Sequence, residues 1–415
     1  MHLDDEEKAM LAGALGPVRQ WAIRHQMAVG DFFDAADFVR IGQAHIMADT
    51  ESLGPSGVAW LEALARNAPL DRRVRVPTIT DPRGLDFDTY RRLKQTDTMA
   101  DLEARTITAF EALGVLMTNT CINYQAVLPA VRGEHHAYGD TGVVIYTNAV
   151  MGSRSNFEGG PSALAAGLTG RTPRYGYHLE QHRRGTRLFE VRRQPKDLAD
   201  WGALGGIVGK ATNSYWEVPV VVGIESAPSS DALKHFGAAL ASFGSVALFH
   251  MPGITAEATT LPDALHGRPA PPATVIDDPD FARFYAGYAA PGDRVDVVVF
   301  AAPQLSVIEL QMIADLIDGR HVADTCSLIA TTSPENKFAA DRMGITARIE
   351  AAGGIVAAGV CFYQSYAREM AEANGWHRLM TNSAKLVNII AGYGYQPTLG
   401  TMEHCIDSAV AGRIV

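Results

Sequence analysis

The sequence predicts an α/β protein whose sheets are largely parallel. Three observations support this prediction: short continuous apolar runs, helical patterns between them, and a regular alternation of the two along the second half of the chain. Continuous apolar runs are typical of strands buried on both faces, and their alternation with helices indicates parallel α/β layers. The 415 residues are 47% hydrophobic and 20% charged, so the chain can fill more than one core.

Residues 1–200 are predicted to form a first α/β region. Helical patterns cover three segments: 4–28 with a break at Pro17, 99–114 with Gly114 as its stop, and 161–170 with Pro161 near its start. Two segments are predicted to contain strands: 35–47, as a helix end and then a strand, and 141–160, which begins as a buried strand and opens into a polar loop.

Residues 201–415 are predicted to form a second α/β region. Five apolar runs are predicted to be strands: 218–224, 245–251, 295–301, 327–333 and 355–363. Helices are predicted between them at 229–244, 305–319 and 335–354. The proline-rich stretch 267–280 indicates a surface connection, so a further boundary is expected near 267–290.

Charge and hydropathy exclude several function classes. The formal net charge is −10, and an acidic surface does not attract a phosphate backbone, so we expect no nucleic-acid partner. No apolar run approaches the roughly 18–20 residues that span a bilayer. The acidic start "MHLDDEEKAML" lacks the apolar region of a signal peptide, so we expect a cytoplasmic protein that does not bind membranes.

The four cysteines are far apart and form no C-x-x-C motif. This excludes zinc ribbons and dense disulfide frameworks, and leaves buried thiols as the simplest interpretation. Cys121, Cys361 and Cys405 nevertheless stand where a strand or turn meets a loop, whereas Cys326 leads into an apolar strand. Ligand chemistry collects at strand carboxyl ends, and three thiolates leave a metal position open for a substrate oxygen.

Three further segments carry polar side chains that suit a small acid. Arg154 and Asn156, in the glycine-rich loop 153–173, can bind a carboxylate or hydroxyl, although a plain turn explains the loop equally. His45 offers acid–base chemistry or a structural hydrogen bond. The segment "MTNSAK" supplies four polar candidates that a simple helix cap also explains: Thr381, Asn382, Ser383 and Lys385.

Taken in order, these fragments resemble the large-subunit part of the aconitase X family. The resemblance rests on "LDDEEKAMLAGALG", "AHI" at 44–46, "VPT" at 76–78, "TC" followed by "NYQ", the segment 133–178, "TNSAK" and "EHCIDSAVAG". It covers most of the chain. It implies aconitase-like α/β/α layers in several domains, and a hydro-lyase that eliminates water from a small hydroxy acid.

The resemblance also implies a cofactor and a set of site residues. Three cysteines, Cys121, Cys361 and Cys405, are expected to hold a mononuclear iron, a [2Fe–2S] or a [4Fe–4S] centre that acts as a Lewis acid. His45, Ser383 and Lys385 are the expected catalytic residues. The expected substrate-binding residues are Thr78, Asn148, Arg154, Asn156, Thr381 and Asn382.

The family's smaller swivelling domain is not found before the sequence stops at Val415. We therefore expect a separate small partner subunit that carries the probable catalytic serine. Cis-3-hydroxy-L-proline is the favoured substrate, with phosphomevalonate as the alternative. Gly359 and Val360 before Cys361, "YGDTG" at 138–142 and "INY" after Cys121 depart from the family pattern. These departures also keep open a scaffold that binds a small acid without catalysis.

Overall fold

The structure, a computed structural model, describes residues 1–415. Short strands and helices alternate in its first part: α1 (Asp5–Leu11), α2 (Pro17–Phe32), β1 (Phe38–Arg40), β2 (Gln43–Ile46), α3 (Thr50–Ala65), α4 (Pro69–Arg72), β3 (Thr78–Thr80), α5 (Asp97–Ala112), α6 (Asn123–Ala126), β4 (His136–Tyr138), α7 (Thr141–Tyr146), α8 (Pro161–Thr169) and β5 (Arg171–Pro173). Strands β3, β2 and β4 pair in that order as a parallel sheet, and β1 pairs antiparallel with β5.

Residues 141–146 form helix α7, so the buried strand predicted from residue 141 is wrong. The helix is buried from Gly142 to Tyr146 and continues into a π-helical turn at Thr147–Met151. A short buried helix has the same continuous apolar composition as a buried strand, so the sequence pattern alone does not distinguish the two. Asp140 caps α7, because its Oδ1 accepts a hydrogen bond from the backbone N–H of Val143 at 2.9 Å.

The middle part contains β6 (Arg187–Val191), α9 (Leu198–Thr212), β7 (Pro219–Val222), α10 (Ser230–Gly244), α11 (Leu261–Ala264), β8 (Ala273–Ile276) and α12 (Asp278–Ala286). Its sheet is parallel with the order β7-β6-β8. The strand predicted at 245–251 is instead a segment without regular strand pairing, joined to β7 by one isolated bridge between Val220 and His250.

Close packing of α9 on α10 explains the glycines in the segment "GALGGIVGK" (202–210) of α9. A Cβ at Gly205 would lie 2.2 Å from the carbonyl oxygen of Phe236, so the two helix backbones approach closely at this point. We expect Gly205→Ala to lower the free energy of unfolding by about 1–3 kcal/mol, because backbone must shift to admit the methyl group.

Gly392→Ala is the matched control for Gly205→Ala, since a Cβ at Gly392 would meet nothing within 4 Å. Urea unfolding followed by circular dichroism measures both variants. Equal stability of the two would contradict the close helix contact.

The last part contains β9 (Val297–Leu305), α13 (Val307–Ile317), β10 (Ser327–Thr332), α14 (Pro334–Arg342), α15 (Ile345–Ala351), β11 (Ile355–Ala358), α16 (Ala367–Asn374), β12 (Arg378–Thr381), α17 (Ala384–Ile390), β13 (Gln396–Leu399) and α18 (Met402–Ala411). Its five strands are all parallel, in the order β11-β10-β9-β12-β13. Strands β10 and β11 are added on one side of β9, and β12 and β13 on the other, so the direction of strand addition reverses between β9 and β12. Ligands in open parallel sheets bind outside the carboxyl ends of the strands at such a point.

The carboxyl ends of the first and last sheets face each other. Gln364, soon after β11, donates from Nε2 to Asp81 Oδ2, directly after β3, at 2.9 Å. A parallel bridge joins Arg83 to Val360 in the same region. The fold therefore creates a crevice between two sets of strand ends. None of the helices combines the length and the apolar composition that a membrane-spanning helix needs.

Candidate active site

Gln304, at the carboxyl end of β9, joins the loops that carry two of the cysteines. Its Nε2 donates to three main-chain carbonyl oxygens, those of Asn119, Thr332 and Val360, at 3.1, 3.2 and 3.1 Å. Its Oε1 accepts from the backbone N–H of Cys121 at 3.3 Å, and its own N–H donates to Cys121 Sγ at 3.4 Å. One buried amide thus fixes the loop of the first domain against the loop of the last.

Cys121 and Cys361 form a pair of buried thiols in this crevice. Both residues are almost completely buried and neither is in a disulfide. A hydrogen-bonding interaction with the Cys361 side chain, together with burial, raises the pKa of the Cys121 thiol well above its ordinary value. The structure therefore brings together two of the three cysteines that the sequence selects.

Asp81 lies beside the thiols and next to His45. Burial and the nearby charge of Asp140 raise the pKa of Asp81 well above its ordinary value. The Nε2–H of His45 donates to the carbonyl of Thr120 at 2.8 Å, and Nε2 is 3.7 Å from Asp81 Oδ1. Burial lowers the pKa of His45, so its imidazole is neutral near pH 7.

Several buried polar atoms around Asp81 have no hydrogen-bond partner. They are His45 Nδ1, Asp81 Oδ1 and Gln364 Oε1. Asn382 Nδ2 is likewise buried without a partner. Unpartnered buried polar atoms are costly and concentrate where a ligand completes the hydrogen bonding. The first three lie close together, because the side chains of His45 and Gln364 both approach Asp81. Their unpartnered atoms indicate a position for a polar ligand.

Lys385 and Asp140 form the charged wall of the crevice. Lys385 Nζ lies 3.4 Å from Asp140 Oδ2, and both side chains are more than nine-tenths buried. Burial lowers the pKa of Lys385, but the charges of the nearby acidic groups, with Asp140 the largest, together outweigh it and the net shift is upward. Lys385 Nζ also lies 5.6 Å from the centre of the Tyr363 ring. The lysine is therefore held as a cation.

A cavity of about 360 Å³ opens onto this ion pair. All three parts of the chain line it: Met47, Asp140, Thr141 and Phe157 from the first, Ala241, Ser242 and Ser245 from the middle, and Tyr363, Lys385, Asn388 and Ile389 from the last. Asp81 and the two thiols do not line this cavity, but they are close enough to Lys385 for their charges to raise its pKa. The cavity is large enough for a small organic acid and offers it both a cation and a carboxylate.

Ser383 and Thr381 serve as local structure in this chain. Ser383 Oγ donates to the carbonyl of Ala302 and accepts from the N–H of Leu386, so the serine is the cap of α17. Thr381 Oγ1 accepts from the N–H of Ser383 at 3.1 Å. The helix-cap interpretation of this segment therefore describes Ser383, whereas Asn382 Nδ2 has no partner and Lys385 pairs with Asp140.

Four residues predicted to bind substrate do not line the cavity. Thr78 Oγ1 donates to the Val76 carbonyl, and the side-chain amides of Asn148 and Asn156 are satisfied by protein groups at both ends. Arg154 pairs with Glu180 and donates to the His178 carbonyl. The contacts of Arg154 and Asn156 hold the loop 153–173 in shape, and their role in substrate binding stays a prediction.

Cys405 is separated from the other two cysteines by its place in α18. It lies in the last domain's apolar core with Met402, Ile406 and Ala409, and burial alone raises the pKa of its thiol. The chain contains no group of three or more His, Cys, Asp or Glu side chains arranged to hold a metal ion. The residues therefore do not form the three-cysteine ligand set that the resemblance implies.

We expect Cys405→Ala to retain activity, whereas Cys361→Ser and Cys121→Ser lose it. Cys405 is packed as a small apolar side chain, so alanine leaves a cavity that costs on the order of 1 kcal/mol of stability. The other two thiols are part of the crevice. Dehydration assays and iron analysis on the three variants measure the difference. Loss of both activity and iron in Cys405→Ala, at unchanged fold, would restore the three-cysteine assignment.

Asp81, Asp140, Tyr363, Gln304 and Gln364 were missed as site residues by sequence reasoning. A signal exists for two of them, because Asp81 directly follows the strand residues "TIT" and Asp140 caps α7 two residues after β4. For Gln304 no pattern distinguishes it from any other polar residue at the end of a buried strand.

Known families and proteins are similar to this chain over most of its length. Profiles of the Aconitase X first, second and third domains match residues 1–181, 185–286 and 295–411. The phosphomevalonate dehydratase large subunit of Methanothermobacter thermautotrophicus is 34% identical over 396 residues, which are 94% of each chain. The cis-3-hydroxy-L-proline dehydratase of Pseudomonas aeruginosa is 30% identical over 416 residues, which are 99% of this chain and 70% of that protein.

A crystal structure of Thermococcus kodakaraensis aconitase X in its holo-form matches with a TM-score of 0.88 and 27% identity, over 99% of this chain and 100% of that chain. Fold and relatives together define the class: an aconitase-like α/β hydro-lyase. Within that class, the chain belongs to the aconitase X family.

Proposed function

We propose that the chain is the large subunit of a dehydratase that eliminates water from a small hydroxy amino acid, with cis-3-hydroxy-L-proline as the preferred substrate. The observation that carries the proposal is the buried Lys385–Asp140 pair at the inner end of the 360 Å³ cavity. A zwitterionic substrate complements such a pair, because its carboxylate faces the lysine and its ammonium group faces the aspartate.

The charges around the cavity argue against a phosphorylated substrate. Lys385 is the only basic residue that lines it, and its charge is already balanced by Asp140. Phosphate sites in proteins use several cationic or backbone donors. Arg154, which would have been the natural phosphate ligand, pairs with Glu180 outside the cavity. Phosphomevalonate remains the second candidate because relatives as similar as 34% identical carry that activity in their names.

The proposed reaction breaks the C2–H and C3–O bonds of the substrate. A base removes the C2 proton, the C3 hydroxyl leaves as water after accepting a proton, and the resulting enamine tautomerises to a cyclic imine. Lys385 stabilises the negative charge that develops on the carboxylate as C2 loses its proton. Asp81, whose pKa is raised by burial and by the charge of Asp140, is our candidate donor to the leaving hydroxyl.

Relatives of this chain are named large subunits, which supports a small partner subunit. The base is proposed to be a serine of that subunit. His45 is proposed to orient Asp81 or to accept a proton at Nδ1, which has no other partner. If the enzyme contains iron, Cys121 and Cys361 are the thiols proposed to contact it, and a third ligand must come from elsewhere than Cys405.

Proton NMR tests the proposal on the chain purified together with its small subunit under anaerobic conditions. We expect the C2–H and C3–H signals of cis-3-hydroxy-L-proline to disappear as the imine forms. The trans isomer is the matched control, because its hydroxyl lies on the other face of the ring. No turnover of the cis isomer by a folded complex of the two subunits would refute the substrate assignment.

A further inference from the structure

A second cleft, of about 470 Å³, lies between the first and middle parts of the chain, beside the active-site cavity. It is lined by Val29, Phe33, Phe157, Glu158, Ser162, Tyr175, Tyr215 and Trp216. Phe157 lines both spaces, so the two are neighbours. The catalytic proposal above uses none of the other residues, although Phe157, Glu158 and Ser162 belong to the distinctive loop 153–173.

Aromatic side chains form most of the lining of this cleft, and their ring planes are inclined to one another at different angles. Phe33 stacks on Tyr175 at 4.4 Å between ring centres, with an interplanar angle of 2°. Tyr215 meets Phe157 at 5.4 Å and Trp216 at 4.9 Å, with interplanar angles of 62° and 87°. Trp216 is 49% exposed and Phe33 is 37% exposed, so the rings are open to solvent on one side. Ring faces at several angles offer a concave, electron-rich surface.

Glu158 places a carboxyl group in the same cleft without a cationic partner. The residue is 7% exposed, and its Oε1 accepts a hydrogen bond from Thr172 Oγ1 at 2.7 Å. No lysine, arginine or histidine forms an ion pair with it, and burial raises its pKa to about 7. Buried carboxylates are normally paired, so the charged form of this one is costly unless a ligand supplies the opposite charge.

We propose that this cleft binds a small organic cation, an alkylammonium group that rests on the aromatic rings with its charge facing the Glu158 carboxylate. Cation–π attraction to the rings and the ion pair with Glu158 act on the same group. An inorganic cation fits this surface poorly, because only one carboxylate and no further charged oxygen is available to replace its water. The proposal does not depend on which substrate the active site uses.

Choline is the probe, and 3,3-dimethyl-1-butanol, which has the same shape without the charge, is the matched neutral ligand. Saturation-transfer NMR titrations at constant ionic strength measure the affinity of each for the purified chain. We expect choline to bind at least about tenfold more tightly than the neutral alcohol. Trp216→Ala and Glu158→Gln should each weaken choline binding roughly fivefold or more. The amide oxygen introduced by Glu158→Gln can still accept the hydrogen bond from the Thr172 hydroxyl, so the local structure should hold.

Phe338→Ala is the control variant, since Phe338 is a 64% exposed aromatic side chain far along the sequence in α14 and outside the cleft. It should bind choline as the unmodified chain does. Equal affinities for choline and the neutral alcohol would overturn the proposal. So would the absence of saturable choline binding, or choline binding that both cleft substitutions leave unchanged.

Discussion

Replacing Lys385 by methionine is expected to lower kcat/KM by about 10²–10³-fold, the effect of removing one preorganised charge from the site of developing negative charge. Methionine keeps the length and packing of the side chain but removes its cation from Asp140 and from any substrate carboxylate. Steady-state dehydration rates of the variant and the unmodified complex measure the loss.

Structural damage and catalytic damage can be separated for Lys385. Lys385→Met alone leaves a buried carboxylate unpaired, whereas the double variant Lys385→Met/Asp140→Asn removes both charges. The double variant should recover stability without recovering activity. Lys337→Met, which removes a lysine paired with Asp341 on the surface of the same domain, is the control and should be fully active. A single variant with near-normal kcat/KM would exclude Lys385 from catalysis.

Asp81→Asn is expected to lower kcat by roughly 10²–10⁴-fold, the usual contribution of a positioned acid or base. The asparagine carbonyl can still accept the hydrogen bond from Gln364 Nε2, so the neighbouring structure should hold. The asparagine amide has no acidic proton to transfer to a leaving hydroxyl. Asp88→Asn, at an exposed position in the same segment, is the matched control and should have unchanged kinetics.

The role of Asp81 also predicts the direction of a pH effect. Burial and Asp140 raise the pKa of Asp81, so its protonated form persists to higher pH than an ordinary carboxyl group allows. Because the protonated form is the active one, kcat should fall as pH rises through that pKa. The residual activity of Asp81→Asn should lack this alkaline decline. An unchanged pH profile in the variant would show that another group titrates.

The parallel α/β architecture was predictable because its signals are local. Apolar runs such as "VDVVVFA" and capped helices such as the one after Ser229 are visible in a few consecutive residues. Helix α7 shows the limit, since a six-residue buried helix and a buried strand share one composition.

The site was only partly predictable because it depends on which strand ends meet. Lys385 and the pair Cys121 and Cys361 were selected from the sequence, and the structure brings them to one crevice. Asp81 and Asp140 follow different strands of another sheet, and nothing local indicates that those ends face the lysine. For Cys405 the sequence does carry a local signal of burial, because apolar neighbours at helical spacing are typical of a core position.

The most direct test of the central claim is the ratio of kcat/KM for cis-3-hydroxy-L-proline to that for phosphomevalonate, measured on the same preparation of the two-subunit enzyme. The buried Lys385–Asp140 pair predicts a ratio well above one, and a sharp fall in that ratio for Asp140→Asn, which can no longer pair with the substrate's ammonium group. Turnover of phosphomevalonate alone, or a ratio that Asp140→Asn leaves unchanged, would contradict the account.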